Sequence, residues 1–157
     1  MTKMSRRIQL ALKRTIDVVV SLAALVLLAP VLAVAALAIR LDSPGPVFFR
    51  QRRLGKAGGT FGIFKFRTMV DRAATMGTGV TTLPDDPRNT RVGNFLRKTS
   101  LDELPQLINV LKGEMSLIGP RPTVTEHLEY YGPFERRRLE MTPGRLRLTA
   151  RRADGAR

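Results

Sequence analysis

The longest hydrophobic pattern in the chain is a run without a charge over residues 18–39, made mostly of Val, Leu and Ala. As a helix rising ~1.5 Å per residue, such a run is long enough to cross a hydrocarbon core of ~30 Å. Polar side chains are nearly absent from every face of this helix, which argues against an amphipathic helix of a soluble domain. The pattern therefore predicts a helix that enters lipid.

Basic residues flank this run on both sides, and Pro30 lies near its middle. Positively charged flanks favour the cytoplasmic side, so both ends are predicted to stay there, which a single straight span does not allow. Because Pro30 removes a backbone donor and clashes with the preceding turn, we predict a re-entrant helix broken near Pro30, with a kinked transmembrane anchor as the alternative. Ser21 is expected to bond back to a carbonyl at this break, and Asp17 to pair with Lys13 or Arg14. The flanking cations are Lys3, Arg6, Arg7, Lys13, Arg14, Arg40, Arg50, Arg52, Arg53 and Lys56.

After the apolar run, shorter patterns predict a small cytosolic domain. Residues 47–53 and 60–68 are typical of strands, and the glycine-rich residues 55–59 between them favour a β-hairpin. A short helix is expected over residues 69–76, and an irregular connection over residues 77–90. The fold class is α+β, with a mostly helical cytosolic domain, a short hairpin and interfacial helices.

The clearest helix of this domain is predicted over residues 100–112. Ser100 and Glu103 have the spacing of a capping box, and Gly113 supplies a stop. Pro105 fits because it falls near the first turn, where its missing N–H costs little. Apolar side chains recur at offsets of three, four and seven and form one stripe, which consists of Leu104, Leu107, Ile108 and Leu111.

The charge balance favours anionic partners, since 27 basic residues stand against 13 acidic ones, a net charge of +14. Cysteine is absent, which excludes disulfides, thiolate metal sites and a cysteine nucleophile. A single histidine, His127, cannot form a multi-histidine metal site and is expected to be an ordinary helix residue. Any chemistry therefore falls to carboxylates and arginines. Nucleic-acid binding would explain the charge but not the apolar run, so we expect no nucleic-acid partner.

Asp102 and Glu103 form an acid pair close to the start of a predicted helix in a strongly basic domain. Acids in a first turn also stabilise the helix dipole, by ~0.3–1 kcal/mol, and this structural role is the alternative. Downstream, Pro120 and Pro122 hold Arg121 on a stiff backbone that suits bidentate binding of phosphate. Carboxylates approach a diphosphate only with a cation, for which Mg²⁺ with oxygen ligands is the natural candidate.

Five segments together resemble the bacterial sugar transferases, the small monotopic phosphoglycosyl transferases. They cover most of the chain in order, from Lys13 to Gly144, and several long motifs in register make the resemblance specific. The segments are KRTID at residues 13–17, GPVFFRQ at 45–51, FKFRTM at 64–69, TSLDELPQL at 99–107 and GEMSLIGPRP at 113–122.

The resemblance implies a transfer of a sugar 1-phosphate from a UDP-sugar to polyprenyl phosphate, with release of UMP, as the first membrane step of surface glycan assembly. Asp102 would attack the β-phosphate, and Glu103 would assist in placing Mg²⁺ or in deprotonating the acceptor. The substrate-binding candidates are Arg121, Lys65, Arg67 and Arg97, of which Lys65 and Arg67 could instead serve structural pairing. The enzyme is expected on the cytoplasmic face of the bacterial inner membrane, in contact with lipids.

Three regions follow from these patterns: a basic terminus and re-entrant helix over residues 1–40, a catalytic core over 41–144, and an Arg/Ala-rich tail over 145–157 that is a candidate for disorder. The tail does not resemble the run that usually completes the site after Pro143 and Gly144. We hypothesise a frameshifted or truncated ending. The alternative function is therefore a weakened or inactive family member that acts as a membrane scaffold.

Overall fold

The computed structural model describes residues 5–76, 86–125, 131–132 and 136–147. It confirms the mixed α+β class. Residues 77–85 of the predicted irregular connection, and His127, lie outside the described residues. In chain order the elements are the helices α1 (Arg6–Leu27), α2 (Ala29–Asp42), α3 (Arg91–Lys98) and α4 (Gln106–Lys112) and the strands β1 (Phe48–Leu54), β2 (Thr60–Phe66), β3 (Ser116–Gly119) and β4 (Gly144–Arg147).

The described residues after α2 are not mostly helical, which corrects the prediction. They form α-helices of 8 and 7 residues beside two strands of 7 residues and two of 4. The helix predicted over residues 100–112 begins only at Gln106, because Ser100 adopts a left-handed conformation and a separate 3-10 turn follows it. Over residues 69–76 the structure has only a 3-10 turn, Ala73–Thr75.

The apolar run folds as two helices, α1 and α2, that meet at Leu28 with a bend of 61°. Pro30 occupies the first turn of α2, where its missing N–H has no partner to lose, so the chain breaks just before it as predicted. Among the described residues, no single helix is both long and apolar enough to cross a membrane. By length and composition, the bent pair can form either a broken span or a re-entrant loop.

Ser21 does not take part in this break, which corrects its predicted role. It lies in the interior of α1, seven residues before Leu28, and is completely buried. Its hydroxyl oxygen forms no hydrogen bond with any described residue, so the expected bond to a carbonyl is absent. The reason is that α1 stays regular through this position and bends only at Leu28, so Ser21 does not lie at the break.

The carboxylate of Asp17 joins α1 to the rest of the protein. It pairs with Lys13 at 3.1 Å, as predicted, and is almost completely buried. The same carboxylate accepts hydrogen bonds from the Ser116 hydroxyl at 2.7 Å and from the backbone N–H of Leu117 at 3.1 Å, both on β3. A charge that is buried, paired and hydrogen-bonded in this way fixes the position of β3 against α1.

Arg14 makes a second link between α1 and the soluble part, instead of pairing with Asp17. Its guanidinium donates to the carbonyls of Val110 at 2.6 Å and Leu111 at 2.8 Å, in the last turn of α4. The carbonyl of Val110 also accepts from the N–H of Gly113 at 3.0 Å, and a cation is favourable at the negative end of the helix dipole. Arg14 therefore caps α4 from outside.

The hairpin of β1 and β2 is confirmed, with Phe48 opposite Phe66 at one end and Leu54 opposite Thr60 at the other. It packs on α4 through the completely buried Asn109, whose side chain accepts from the N–H of Phe64 at 2.9 Å and donates to the carbonyl of Gly62 at 2.8 Å. Two apolar clusters hold the elements together: Ala35, Ile39, Phe66 and Leu96 between α2, β2 and α3, and Phe61, Ile63, Val110 and Met115 around β2 and α4.

The end of the described chain forms a strand. Gly144–Arg147 is β4 and pairs in parallel with β3, with Ile118 opposite Leu146. The boundary predicted at Gly144 therefore lies inside a strand, and Arg145 to Arg147 belong to the folded part. Residues 148–157 lie outside the described residues.

Candidate functional site

Asp102 and Glu103 lie in a 3-10 turn, Leu101–Glu103, between α3 and α4. The turn closes through a hydrogen bond from the N–H of Leu104 to the carbonyl of Leu101 at 3.1 Å. The predicted capping box is wrong, because Ser100 has φ 57° and its side chain makes no cap bond. The left-handed residue reverses the chain after α3, and this reversal turns the acid pair toward β2.

Lys65 on β2 reaches across to Glu103. Its ammonium nitrogen lies 2.9 Å from Oε1 of Glu103, and the two side chains are 21% and 31% exposed. The predicted substrate-binding candidate Lys65 is therefore paired with one member of the acid pair. An ion pair that is still partly open to solvent can bind a further anion without losing its geometry.

Asp102 is the more buried of the two acids, with 9% of its surface exposed. Burial raises the pKa of its carboxyl above the ordinary value, and the neighbouring charge of Glu103 adds to the rise, whereas Lys65 and Arg97 act against it. No side chain among the described residues donates a hydrogen bond to this carboxylate. Asp102 is thus a largely buried carboxyl group that receives no hydrogen bond from a described side chain, and it is less hydrated than a carboxyl group in water.

Glu103 has the opposite electrostatic balance. Burial acts to raise its pKa, but the hydrogen bond and charge of Lys65, helped by the charges of Arg121 and Arg145, hold the pKa below the ordinary value. Two adjacent acids with opposed pKa shifts can take different chemical roles.

A groove lies beside the acid pair and encloses about 420 Å³ of space between the atoms, part of it open to solvent. Glu103 is the one carboxylate among its lining residues, against four cations, so the groove is strongly positive. Asp102 is not among its lining residues and precedes Glu103 in the same turn. The lining residues are Arg53, Ile63, Lys65, Glu103, Gln106, Arg121, Pro122, Gly144 and Arg145.

Of the remaining predicted site residues, Arg97 belongs with this cluster and Arg67 does not. Arg97 acts on the charge of Asp102, and its guanidinium is anchored to Oδ1 of Asn89 at 2.8 Å. Arg67 is buried and donates to the carbonyls of Ser43 at 2.6 Å and Pro44 at 2.9 Å, just after α2. Of the two roles predicted for Arg67, substrate binding or structural pairing, its guanidinium therefore has the structural one.

Two residues that line the groove, Gln106 and Arg145, were not predicted from the sequence. Gln106 is 3% exposed in the first turn of α4, directly after Pro105, and was hidden within a helix-start motif. Arg145 lies on β4, in the region predicted as a tail. Pairing of β4 with β3 brings it to the groove, and no local pattern in residues 144–147 predicts that pairing.

The residues present fit Mg²⁺ only if a phosphate completes the ligand set. Within the described part of the chain, no three acidic or histidine side chains come together to hold a metal ion. Mg²⁺ is commonly held by one or two carboxylates together with substrate phosphates and water. The buried carboxylate of Asp102, which has no side-chain donor, beside the second carboxylate of Glu103 meets that requirement.

Comparison with known proteins identifies a family and several relatives. The family described as bacterial sugar transferase matches residues 8–150. The chain is 52% identical over 124 residues to the UDP-glucose:undecaprenyl-phosphate glucose-1-phosphate transferase of Escherichia coli K12. The matched residues are 76% of this chain and 26% of the relative. The chain is 50% identical over 135 residues to the Caulobacter vibrioides protein of the same name, covering 84% of this chain and 50% of the relative.

A third relative comes from Rhizobium leguminosarum bv. phaseoli, the exopolysaccharide production protein PSS. It is 51% identical over 112 residues, which cover 71% of this chain and 56% of the relative. This chain thus spans between 26% and 56% of the length of these three relatives. The family match also extends to residue 150, past Gly144, where the motif resemblance ended.

Proposed function

The chain belongs to the bacterial sugar transferase family, and from this membership we propose that it transfers a sugar 1-phosphate from a UDP-sugar to polyprenyl phosphate, with release of UMP. Two relatives at 50% and 52% identity are named as transferases of glucose 1-phosphate from UDP-glucose to undecaprenyl phosphate. UDP-glucose is therefore the first donor to test. We propose that this transfer is the first membrane step of surface glycan assembly, and the third relative is named for exopolysaccharide production.

The single observation that carries the proposal is the desolvated carboxylate of Asp102 beside a cationic groove. A donor diphosphate is an anion, and the four cations of the groove match it in charge. A carboxylate in water is a weak nucleophile toward phosphorus because it is well hydrated. Burial removes part of that hydration before the reaction begins. The charges of Lys65 and Arg97 favour the ionised form of the carboxyl group.

In the first step we propose that an oxygen of Asp102 attacks the β-phosphorus of the UDP-sugar. A bond forms between this oxygen and phosphorus, and the bond from the β-phosphorus to the oxygen that bridges both phosphates breaks. UMP leaves with that oxygen, and the sugar phosphate stays on Asp102 as an acyl phosphate. Arg121 and Lys65 bind the phosphate oxygens during this step.

In the second step a phosphate oxygen of the polyprenyl phosphate attacks the same phosphorus. The bond to Asp102 breaks, the carboxylate is restored, and polyprenyl diphosphate-sugar is released. Glu103, whose pKa lies below its ordinary value, stays ionised and can accept a proton from an acceptor phosphate that arrives protonated. Lys65 holds Glu103 in place for this task.

Mg²⁺ is the cofactor that we propose for this site, held by the carboxylates of Asp102 and Glu103 together with the donor phosphates. When bound, it supplies positive charge that neutralises the diphosphate as it approaches the acid pair.

We propose further that α1 and α2 dip into the bacterial inner membrane as a re-entrant pair, with the acid pair on the cytoplasmic face. The 61° bend at Leu28 and the cations on both sides of the apolar run support this arrangement. A lipid-linked acceptor then reaches the site along the plane of the headgroups. Membrane lipids are therefore partners, besides the two substrates.

The test is UMP release by the full chain in nanodiscs, with Mg²⁺, polyprenyl phosphate and UDP-glucose first among a panel of UDP-sugars. Asp102→Asn should lower the rate by ~10³-fold or more, because it removes the nucleophile. Asp71→Asn is the matched control, since Asp71 is an exposed acid outside the groove. It should keep the rate of the wild type.

Two outcomes would contradict the proposal. Release that survives Asp102→Asn would reject this residue as nucleophile. No release from any donor by a folded wild-type chain would reject the activity and favour a membrane scaffold. In a reaction with the donor alone, retention of labelled sugar phosphate on the wild type but not on Asp102→Asn would support the covalent step.

A further inference from the structure

Arg145 lies on β4 and lines the groove together with Arg121, the phosphate-binding candidate that the sequence motifs indicated. Its side chain is half-buried and lines the groove, whereas Leu146 is 58% exposed, as the alternation of a strand requires. β4 pairs with β3, and Pro120 and Arg121 follow β3 directly. The pairing of the two strands therefore brings Arg121 and Arg145 into one groove, beside Glu103.

The charge of Arg145 acts on Glu103, but its guanidinium is not taken up by an ion pair within the described residues. Its Nε is buried and forms no hydrogen bond with a described residue. Neither Arg145 nor Arg121 forms an ion pair within the part of the chain that the structure describes, whereas Lys65 is bound to Glu103. A buried donor without an acceptor costs free energy, and an anion in the groove would supply the acceptor.

We propose that Arg145 is a phosphate-binding residue and that, together with Arg121, it holds a phosphate group of a reactant beside the Asp102–Glu103 turn. The planar guanidinium donates two parallel hydrogen bonds to a pair of phosphate oxygens, which an ammonium cannot do. The inference rests on the proposed function, from which it takes its anionic reactants. Both the donor diphosphate and the acceptor phosphate have this chemistry, and the experiment separates them.

The experiment measures the binding of two probes to the full chain in nanodiscs: UDP, which carries the diphosphate, and farnesyl phosphate, a short prenyl phosphate. Arg145→Gln should weaken the binding of at least one probe by about tenfold, the effect of losing one charge-assisted hydrogen bond at a partly exposed position. Arg145→Lys should recover only part of the loss. Arg137→Gln removes an exposed arginine outside the groove and should bind both probes like the wild type.

A loss for UDP assigns Arg145 to the donor, and a loss for farnesyl phosphate assigns it to the acceptor. Unchanged binding of both probes by Arg145→Gln overturns the proposal. If Arg145→Gln lowers the melting temperature more than Arg137→Gln does, Arg145→Lys decides in the same way, provided that it melts like the wild type.

The same variants separate this inference from the proposed function. Weakened probe binding in Arg145→Gln, with no UMP release by the wild type, would support the phosphate site and reject the transferase. Unchanged binding by this variant, in a chain that releases UMP, would reject the role of Arg145 alone.

Discussion

Ser116 donates a hydrogen bond of 2.7 Å to the carboxylate of Asp17, and the two residues lie 99 positions apart in the chain. This bond joins α1 to the strand that leads to Arg121. The backbone N–H of Leu117 and the ammonium of Lys13 donate to the same carboxylate. The position of β3, and of Arg121 after it, is thus set from α1.

We expect Asp17→Ala to destabilise the protein by about 3 kcal/mol, because it removes the buried carboxylate to which Lys13, Ser116 and Leu117 donate. The melting temperature of the chain in detergent measures this. Since β3 would lose its anchor, UMP release per folded molecule should fall as well. Asp71→Ala, at an exposed acid, is the control, and an equal melting temperature for the two variants would contradict the role of Asp17.

A second prediction concerns Lys65 and the pH dependence of the first step. Lys65 lowers the pKa of both Asp102 and Glu103, so Lys65→Met should raise both values. A nucleophilic carboxylate must be ionised, and its rate falls as the pH drops through its pKa. The acid limb of the single-turnover rate of UMP release should therefore move to higher pH in Lys65→Met.

The measurement is UMP release with the donor alone, so that the acceptor phosphate does not titrate in the same range. Lys56→Met, at an exposed lysine in the hairpin turn, is the control and should leave the acid limb where the wild type has it. An acid limb that stays in place in Lys65→Met would show that Lys65 does not act on the nucleophile.

Several features of the fold could be predicted because they depend on local chemistry. A proline breaks a helix because its missing N–H is tolerated only in a first turn. Pro30 accordingly lies in the first turn of α2, just after the end of α1. The alternating segments around a glycine-rich turn form the hairpin, and the spacing of Lys13 and Asp17 by four residues makes an ion pair on one helix face.

Other features depend on contacts that no local pattern encodes. Ser100 takes a left-handed conformation without being glycine or asparagine, so its sequence looks like a helix start. Asn109 looks like a polar residue on a helix surface and is completely buried between α4 and the hairpin. Arg145 enters the site only through the pairing of β4 with β3, which brings together segments more than twenty residues apart.

A third prediction follows from the close approach of α3 to the end of the hairpin. A Cβ added at Gly93 would lie 2.0 Å from the carbonyl oxygen of Thr68, a backbone atom that cannot move alone. Gly93→Ala should lower the free energy of unfolding by about 3 kcal/mol through this overlap. In Gly62→Ala the nearest atom is a flexible side-chain nitrogen of Arg50 at 3.5 Å, so this control should melt like the wild type. Equal melting temperatures for the two variants would contradict the packing of α3.

A fourth prediction concerns the effect of Asp102 on the stability of the folded protein, as distinct from its role in the reaction. Burial raises the pKa of Asp102, so the folded state binds its proton more tightly than the unfolded state does. The contribution to stability is present below the ordinary pKa of 3.8 and is lost as the pH rises through the raised value. Asp102→Asn should therefore melt at a higher temperature than the wild type at pH 7, and this gain should shrink toward pH 3.

Asp102→Asn is then expected to lose activity and to gain stability. This is the trade-off of a site where a buried charge is needed for the reaction and destabilises the fold. Asp71→Asn, at an exposed acid, should show no such pH-dependent gain. If Asp102→Asn melted at or below the wild-type temperature throughout this pH range, the carboxylate would not be a source of instability.

The last prediction concerns how α1 and α2 sit in the membrane. The chain has no cysteine, so a single introduced cysteine is the only thiol that a maleimide can label. Ser5→Cys and Lys56→Cys place exposed thiols on either side of the bent pair. A re-entrant pair keeps both on the cytoplasmic face, so a membrane-impermeant maleimide should label both in inverted vesicles and neither in intact spheroplasts. A broken span would instead expose one thiol in each preparation, and that result would reject the re-entrant arrangement while leaving the geometry of the Asp102–Glu103 turn unchanged.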